Sequence, residues 1–380
     1  YGHAIAMSAS RIDRVRSCHF GYFMEYGLRA RERKKAGFEA PEVGTFLHYL
    51  LENVNREVKE LGGYQKVDDQ ALRHMVEEQV DRYAQRCIDD YAHKSARFRY
   101  LFSRLRETAY SIVLDIAGEM RQSDFTPVCF ELSFGGRDGT LPAVTVRQDG
   151  ASLSVSGKVD RVDGWLHDGK LYLRVVDYKT GKKSFDLSDV RYGLGIQMLL
   201  YLFALEREGQ DYFGCPVVPC GVLYQPARTA ILTRPRNISE DKLRADLQAA
   251  LRRTGLVLDE PEVLRAMEHS ALEKPCYLPI GVKKDGTLSG SVASAAQLGH
   301  LGRYVDRLLH EIAGEIAQGN IDADPYDRGP QDSACTYCAF ASACCFDERR
   351  DRRRFLRKTD SGEFWALMEK ENGEVSHDEN

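Results

Sequence analysis

Ser156-Gly157-Lys158-Val159-Asp160-Arg161-Val162-Asp163 and, after a turn, Leu171-Tyr172-Leu173-Arg174-Val175-Val176-Asp177-Tyr178-Lys179-Thr180-Gly181 decide how this chain is read. Both stretches alternate or run in β-branched residues, so each reads as a strand, and adjacent antiparallel strands can bring Asp160 beside Asp177. Side chains two apart on a strand share a face, which groups Asp177 with Lys179 and sends Tyr178 to the other side. An isolated D-x-K is usually an ion-paired strand surface. Here Val175-Val176 form a buried lead-in and Thr180-Gly181 turn the chain, so the charged pair stands where a strand ends. Two carboxylates can hold a hard divalent cation and a lysine can neutralise developing charge, equipment suited to hydrolysing a phosphodiester. Gln197 and Tyr201 follow one helical turn apart, on one side of a helix.

Working outward, 127–134, 141–147, 152–162 and 171–178 read as four successive strands of a meander, 189–208 as a helix and 217–224 as a buried strand. This β-β-β-β-α-β order makes the centre of the chain α/β. Before it, 8–30, 42–60, 69–93 and 97–122 carry apolar residues at helical spacing, with a basic run from Arg29 to Lys35. After it, 239–254, 261–269 and 297–318 read as helices, with a turn at 283–286 between two short strands. The basic segment 347–358 precedes one last helix. The pattern divides into a helical part 8–125, a core 126–226, a helical insertion 227–328, a cysteine segment 329–347 and a basic tail 348–380, all within one domain of 1–380. Because the chain starts at Tyr1 and lacks the regions of a signal peptide, it is read as a piece of a longer protein.

The 380 residues carry 53 Lys+Arg against 57 Asp+Glu, a net charge of −4 with neutral His, and 43% hydrophobic residues. Such near-balance excludes a protein that coats nucleic acid by bulk charge, so any nucleic-acid contact must come from local patches. Two are candidates: Arg97, Arg99, Arg104 and Arg106, interleaved with aromatic residues as single strands require, and Arg349 to Lys358. No apolar run is long enough for a membrane span. The G-x-x-x-x-G-K-[ST] pattern is absent around Thr180-Gly181-Lys182, so ATP hydrolysis is not expected of this segment.

Ten cysteines are present. They are not spread like a secreted disulfide scaffold, which favours a reducing cytoplasm. Cys335, Cys338 and Cys344 form C-x2-C-x5-C, with Cys345 next to the last. The first pair has the spacing of a shared metal centre. A four-thiolate centre needs one more ligand, for which distant Cys18 is the best candidate; it would close a loop of 335 − 18 = 317 residues. Spacing alone leaves zinc and iron-sulfur open, and leaves Cys345 as an alternative to Cys344.

The motifs G-x-x-D-R-x-D (Gly157 to Asp163), D-Y-K-T-G (Asp177 to Gly181) and Q-x-x-x-Y (Gln197 to Tyr201) together resemble the PD-(D/E)XK nuclease superfamily, in its RecB-type branch. That resemblance implies a restriction-endonuclease-like core, a small mixed sheet flanked by helices. It makes His48, in Gly44-Thr45-Phe46-Leu47-His48, an additional metal ligand, and offers Glu131 as the acidic residue of the first core strand. Mg2+ or Mn2+ would then be held by His48, Asp160, Asp177 and the Tyr178 carbonyl, with Lys179, Gln197 and Tyr201 assisting. With the flanking cysteines, from about Ser8 to Asp347, the chain is similar to the AddB-type nuclease domain of AddAB-type helicase-nucleases. That likeness implies a 4Fe-4S cluster on Cys18, Cys335, Cys338 and Cys344, clasping the two ends. It also implies an AddA-type partner, single-stranded DNA delivered by the helicase, and a role in double-strand-break repair by homologous recombination, with action on the 5'-ended strand. Two alternatives share parts of this pattern: a freestanding nuclease of the CRISPR-adaptation type, and a catalytically silent, cluster-stabilised DNA-binding module.

Overall fold

The computed structural model describes residues 3–31, 40–87, 95–136, 139–235 and 237–378. The last residues of the expected 69–93 helix and most of the Arg29–Lys35 run lie outside these. In chain order the elements are β1 (Ala4–Ser8), α1 (Ala9–Ser17), α2 (His19–Tyr22), a π-helical turn Phe23–Gly27, α3 (Ala40–Glu60), α4 (Asp69–Cys87) and α5 (Ala96–Met120). The centre follows with β2 (Thr126–Phe134), β3 (Val144–Gln148), β4 (Ala151–His167), β5 (Lys170–Lys179), α6 (Leu187–Arg191), α7 (Gln197–Phe213) and β6 (Val217–Pro226). Then come α8 (Glu240–Ala250), β7 (Thr254–Leu258), α9 (Pro261–Met267), β8 (Ile280–Val282), β9 (Leu288–Gly290), β10 (Val292–Ala293), α10 (Ala295–Ala317), β11 (Tyr326–Asp327), α11 (Ala341–Cys344), β12 (Arg354–Phe355) and α12 (Ser361–Asp378).

The sheet is mixed, as expected, but larger than the small sheet expected from the sequence, with eight strands along the path β1-β4-β5-β6-β7-β10 and with β2 and β3 also on β4. The meander is corrected. Long β4 takes β1 (parallel) and β3 (antiparallel) along its first half, then β2 and β5 along its second, so β2 and β3 share a partner instead of pairing with each other. Within 227–328 the expected turn at 283–286 joins β8 and β9, and two further strands not expected from the sequence enter the sheet, β7 on β6 and β10 on β7. The 189–208 helix is broken between α6 and α7, where Gly193 and Gly195 adopt φ of 76° and 68° that a β-carbon would disfavour.

Alternation along β5 sorts its side chains between two layers. Arg174 reaches Glu119 of α5 and Tyr178 joins the apolar cluster of α3, α4 and α5, so that face is covered by the N-terminal helices. On the opposite face α7 packs on β5 and β6, and α10 on β3 and β4. Within the first layer a largely buried ionic chain runs behind the strands. Arg161 and Arg174 both bind Asp163, at 2.8 and 3.0 Å, Arg174 continues to Glu119 at 2.8 Å, and Arg253 joins Glu119 and Asp115, each at 2.7 Å. Every buried guanidinium here has a carboxylate, which is what makes its burial tolerable.

Candidate active site

β4 and β5 run antiparallel up to the pair Arg161–Val176, and one step further Asp160 falls opposite Asp177. There the strands part: an Asp160 carboxylate oxygen accepts the Tyr178 backbone N–H at 2.8 Å. Its other oxygen lies 3.3 Å from His48 Nδ1, carried in on α3. The His48 ring meets Tyr178 edge-on, 6.0 Å between centroids. Tyr178 is itself fixed from below, since its hydroxyl accepts from Arg161 at 3.1 Å and from Asn55 at 3.4 Å.

Glu131 completes the group. On β2 the pairs Phe130–Arg161 and Leu132–Val159 bracket it, so it faces Asp160 across the sheet. Its φ of 50° is rare for a residue with a side chain, and backbone held this way by its surroundings is a cost that clusters at working sites. His48, Glu131 and Asp160 each offer a ligand atom within 4.8 Å of the others. Lys158 pairs with Glu131 at 2.5 Å, and Lys179 with Asp177 at 2.5 Å, so each outer carboxylate carries its own ammonium. Asp177 and Lys179 thus share a face, as alternation requires.

The electrostatics are those of anions gathered without full compensation. Burial, then the neighbouring Asp160 carboxylate, push Asp177 up to about 6 against the pull of Lys179. Glu131 is raised mainly by burial, and His48 is raised mainly by its bond to Asp160. An acid raised by folding favours the protonated state, so this stability is present below the ordinary Asp pKa and is lost as pH climbs through 6. A cation held by Asp177 and His48 would have to displace their protons. Mg2+ affinity measured by calorimetry is therefore expected to be weak at pH 5, to rise through pH 6 as Asp177 ionises and to go on rising while the raised His48 imidazole loses its proton; a flat profile would contradict the expectation that these two are ligands.

Gln197 and Tyr201 brace β4. Gln197 Nε2 donates to the Tyr201 hydroxyl at 3.1 Å, and that oxygen also accepts the Lys158 backbone N–H at 3.3 Å. The Tyr201 ring stacks on Phe134, 5.6 Å between centroids and 2° from parallel. Gly157 makes room for it, because a β-carbon there would collide with the Tyr201 ring and hydroxyl. Sequence reading missed the residue that seats this helix: Asp13 of α1, half-buried and raised to about 6 chiefly by desolvation, accepts the Gly195 N–H at 3.0 Å just before α7 begins.

α1 and α2 are also tied to the C-terminal segment. His19 binds Asp324 at 2.8 Å, Phe20 N–H donates to the Asp322 carbonyl at 2.9 Å, and Arg354 donates to the Arg16 carbonyl at 2.7 Å. Cys18 stands among these contacts. The Cys344 thiol is raised by burial and then by Cys18, Cys335, Asp351 and Cys338, and Cys335 is raised by burial and, among its neighbours, by Cys18 and Cys338. Cys345 is exposed, and its thiol points at the Ser342 carbonyl.

The two basic patches fare differently from the carboxylates. Arg97, Arg99 and Arg104 are exposed on the first half of α5, without contact to the site among the described residues. In the second patch Arg353 pairs with Asp327 and Glu348, Arg354 with Asp324 and Arg357 with Glu363, so much of its charge is neutralised locally. No helix among the described residues is long and apolar enough to cross a membrane.

A profile of the PD-(D/E)XK nuclease superfamily matches residues 6–345. Among curated proteins, the chain is 32% identical over 380 residues to a protein of Clostridium acetobutylicum, covering 98% of the chain and 33% of that protein. It is 35% identical over 374 residues to one of Desulforudis audaxviator, covering 97% and 32%. A third, from Acetivibrio thermocellus, is 34% identical over 380 residues, covering 98% and 33%. Each of the three is named as a subunit of an ATP-dependent helicase/deoxyribonuclease. The chain spans about a third of the length of these relatives.

Proposed function

Because the chain belongs to the PD-(D/E)XK nuclease superfamily, we propose that it is a deoxyribonuclease domain that hydrolyses single-stranded DNA within a helicase-nuclease acting in double-strand-break repair by homologous recombination. One observation carries this reading: His48, Glu131 and Asp160 converge on one another beside the Asp177–Lys179 pair, where β4 and β5 separate. The donor set fits a hard divalent cation, being mostly carboxylate oxygen with one imidazole. His48, Asp160, Asp177 and the Tyr178 carbonyl would hold Mg2+ or Mn2+, with Glu131 in reach. Such an ion, when bound, polarises the scissile phosphate and lowers the pKa of an attacking water.

The chain's own groups do the rest. Lys179, kept beside Asp177, neutralises charge that develops on the phosphate and orients the nucleophile. Lys158 holds the Glu131 carboxylate toward Asp160. Gln197 and Tyr201 fix the β4 backbone from which Lys158 and Asp160 project, so we assign them a positioning role. An AddA-type partner is the proposed source of the unwound strand, in the bacterial cytoplasm. The test is degradation of labelled single-stranded DNA by the full-length protein: Mg2+-dependent cleavage is expected, and DNA binding indifferent to EDTA with no cleavage would overturn the proposal.

We assign a 4Fe-4S cluster to Cys18, Cys335, Cys338 and Cys344, with Cys345 excluded. The likeness to the AddB-type nuclease domain carries the choice of this cluster over zinc, which the C-x2-C spacing would also accept. A cross-link that closes so long a loop is worth on the order of 5 kcal/mol by chain entropy. Cys18→Ala is therefore expected to lose the visible absorbance, most of the iron and several degrees of unfolding temperature in an anaerobic preparation, whereas Cys345→Ala keeps all three. Unchanged absorbance in Cys18→Ala would remove it from the ligand set.

A further inference from the structure

Beyond Lys179 the sheet opens into a cleft of about 680 Å³, walled by the loop after β5, the end of β6, the α8–β7 connection and the β8–β9 hairpin. Its walls carry Lys179, Lys182, Lys183, Arg228 and Arg252, together with Arg253, which Asp115 and Glu119 neutralise from within, and no carboxylate is among the described residues that line it. In a chain with a net charge of −4, this concentration of one sign is a local construction. Arg228 and Arg252 are half-buried, yet among the described residues neither has a carboxylate partner. Their hydrogen bonds go to neutral carbonyls, Ala250 at 3.4 Å for Arg228, and Ile280 at 3.3 Å and Pro275 at 2.5 Å for Arg252. The Nε atoms of both are buried without an acceptor.

Along the buried ionic chain every guanidinium meets an acid. In the cleft, by contrast, the guanidiniums of Arg228 and Arg252 meet only carbonyls and share a solvent-open space with two loop lysines. Lys183 is partly offset, since Asp13 and Asp189 both feel its charge, and Lys182 and Lys183 are both exposed on the loop. Such a surface calls for a ligand bearing several anions in a row. Lys179 stands both on the cleft wall and beside Asp177, so one end of that ligand lies at the candidate active site.

We propose that this cleft is the backbone track for the DNA strand next to the scissile bond, its basic side chains each meeting successive phosphates. The inference rests on the nuclease reading of Asp160, Asp177 and Lys179. Tyr224, the aromatic residue of the cleft wall, is 5% exposed and lies under Lys179 and Lys183, so the cleft offers no open stacking platform. Recognition is therefore of phosphates and independent of sequence. Arg97, Arg99 and Arg104 are not needed for it.

Each phosphate neutralised on a single strand contributes about 0.7 to the slope of log K against log salt. In the full-length protein, Lys182→Gln/Lys183→Gln is expected to lower that slope by about 1.4 and to raise KM for an oligothymidylate at least tenfold at about 150 mM salt, equally for a mixed-sequence oligonucleotide. Lys66→Gln, at an exposed lysine outside the cleft, serves as the charge control and leaves both values unchanged. Arg252→Gln, checked first for an unchanged unfolding temperature, lowers the slope by about a further 0.7. Wild-type cleavage with an unaltered slope and KM in the lysine pair would overturn the cleft assignment alone. Absence of Mg2+-dependent cleavage in the wild type would instead overturn the nuclease reading beneath it.

Discussion

Asp177→Ala lowers kcat for DNA cleavage by on the order of 10³-fold or more, while the metal-free protein unfolds at the same temperature or higher. The first half follows from the carboxylate's place. A metal ion contributes several kcal/mol of charge stabilisation to the transition state, and each 1.36 kcal/mol is a factor of about ten in rate. In the proposed site Asp177 would present an oxygen to that ion, and it holds Lys179 at 2.5 Å, so its loss would disturb two contributors together. The second half follows from the cost of the site. Asp177 is 7% exposed and raised to about 6 because burial and the Asp160 carboxylate both oppose its charge. Removing that charge relieves the fold at neutral pH, the usual exchange of stability for activity at such sites. Parallel kinetics and thermal melts in EDTA check both halves; a variant that loses activity only because it unfolds would contradict them.

Glu119→Ala destabilises the protein by roughly 3–5 kcal/mol, the range for breaking a buried ion pair and leaving its partner charged. Glu119 is 1% exposed and bridges Arg174 and Arg253, so its removal takes a carboxylate from two buried guanidiniums at once, leaving Asp163 alone to Arg174 and Asp115 alone to Arg253. Burial alone would raise this carboxyl, but Arg253 and Arg174 hold it down to about 2. An acid lowered by folding contributes stability above its ordinary pKa and loses it as pH falls through 2, so the difference between wild type and Glu119→Ala narrows in acid. The exposed i,i+4 pair Glu52–Arg56 gives the comparison: Glu52→Ala costs less than about 1 kcal/mol. Urea denaturation of the three proteins distinguishes the cases, and equal effects of the two substitutions would show that the buried chain is not structural.

The carboxylate end of the site was legible because it is local. Alternation in β5 fixes the shared face of Asp177 and Lys179 from three consecutive residues, and the turn at Thr180-Gly181 marks the strand end. His48 could not be read that way: it stands far upstream of Asp160, on a helix whose packing against the sheet no local pattern reveals, so only resemblance pointed to it. Glu131 was weak for a related reason, since its side chain is aimed by a positive φ that no turn residue signals.

β1 escaped because Ala4–Ser8 runs straight into α1 and pairs with Ser152–Ser156, so its strand character is conferred by a distant partner. β7 escaped because the helical spacing of α8 runs on through Leu251, whereas Thr254–Leu258 turns to strand and enters the sheet beside β6. The basic cleft is the extreme case. Its basic side chains come from three separated segments that only the fold brings together, while the conspicuous Arg97–Arg106 run lies on an outer helix surface.

The most direct measurement is cleavage of an end-labelled single-stranded oligonucleotide by the full-length protein, followed in Mg2+ and in EDTA, for the wild type and Lys179→Ala. Fragments are expected only for the wild type in Mg2+, with DNA binding retained in every other arm. Fragments that persist in EDTA, or that form at the wild-type rate in Lys179→Ala, would contradict metal-dependent cleavage at this site.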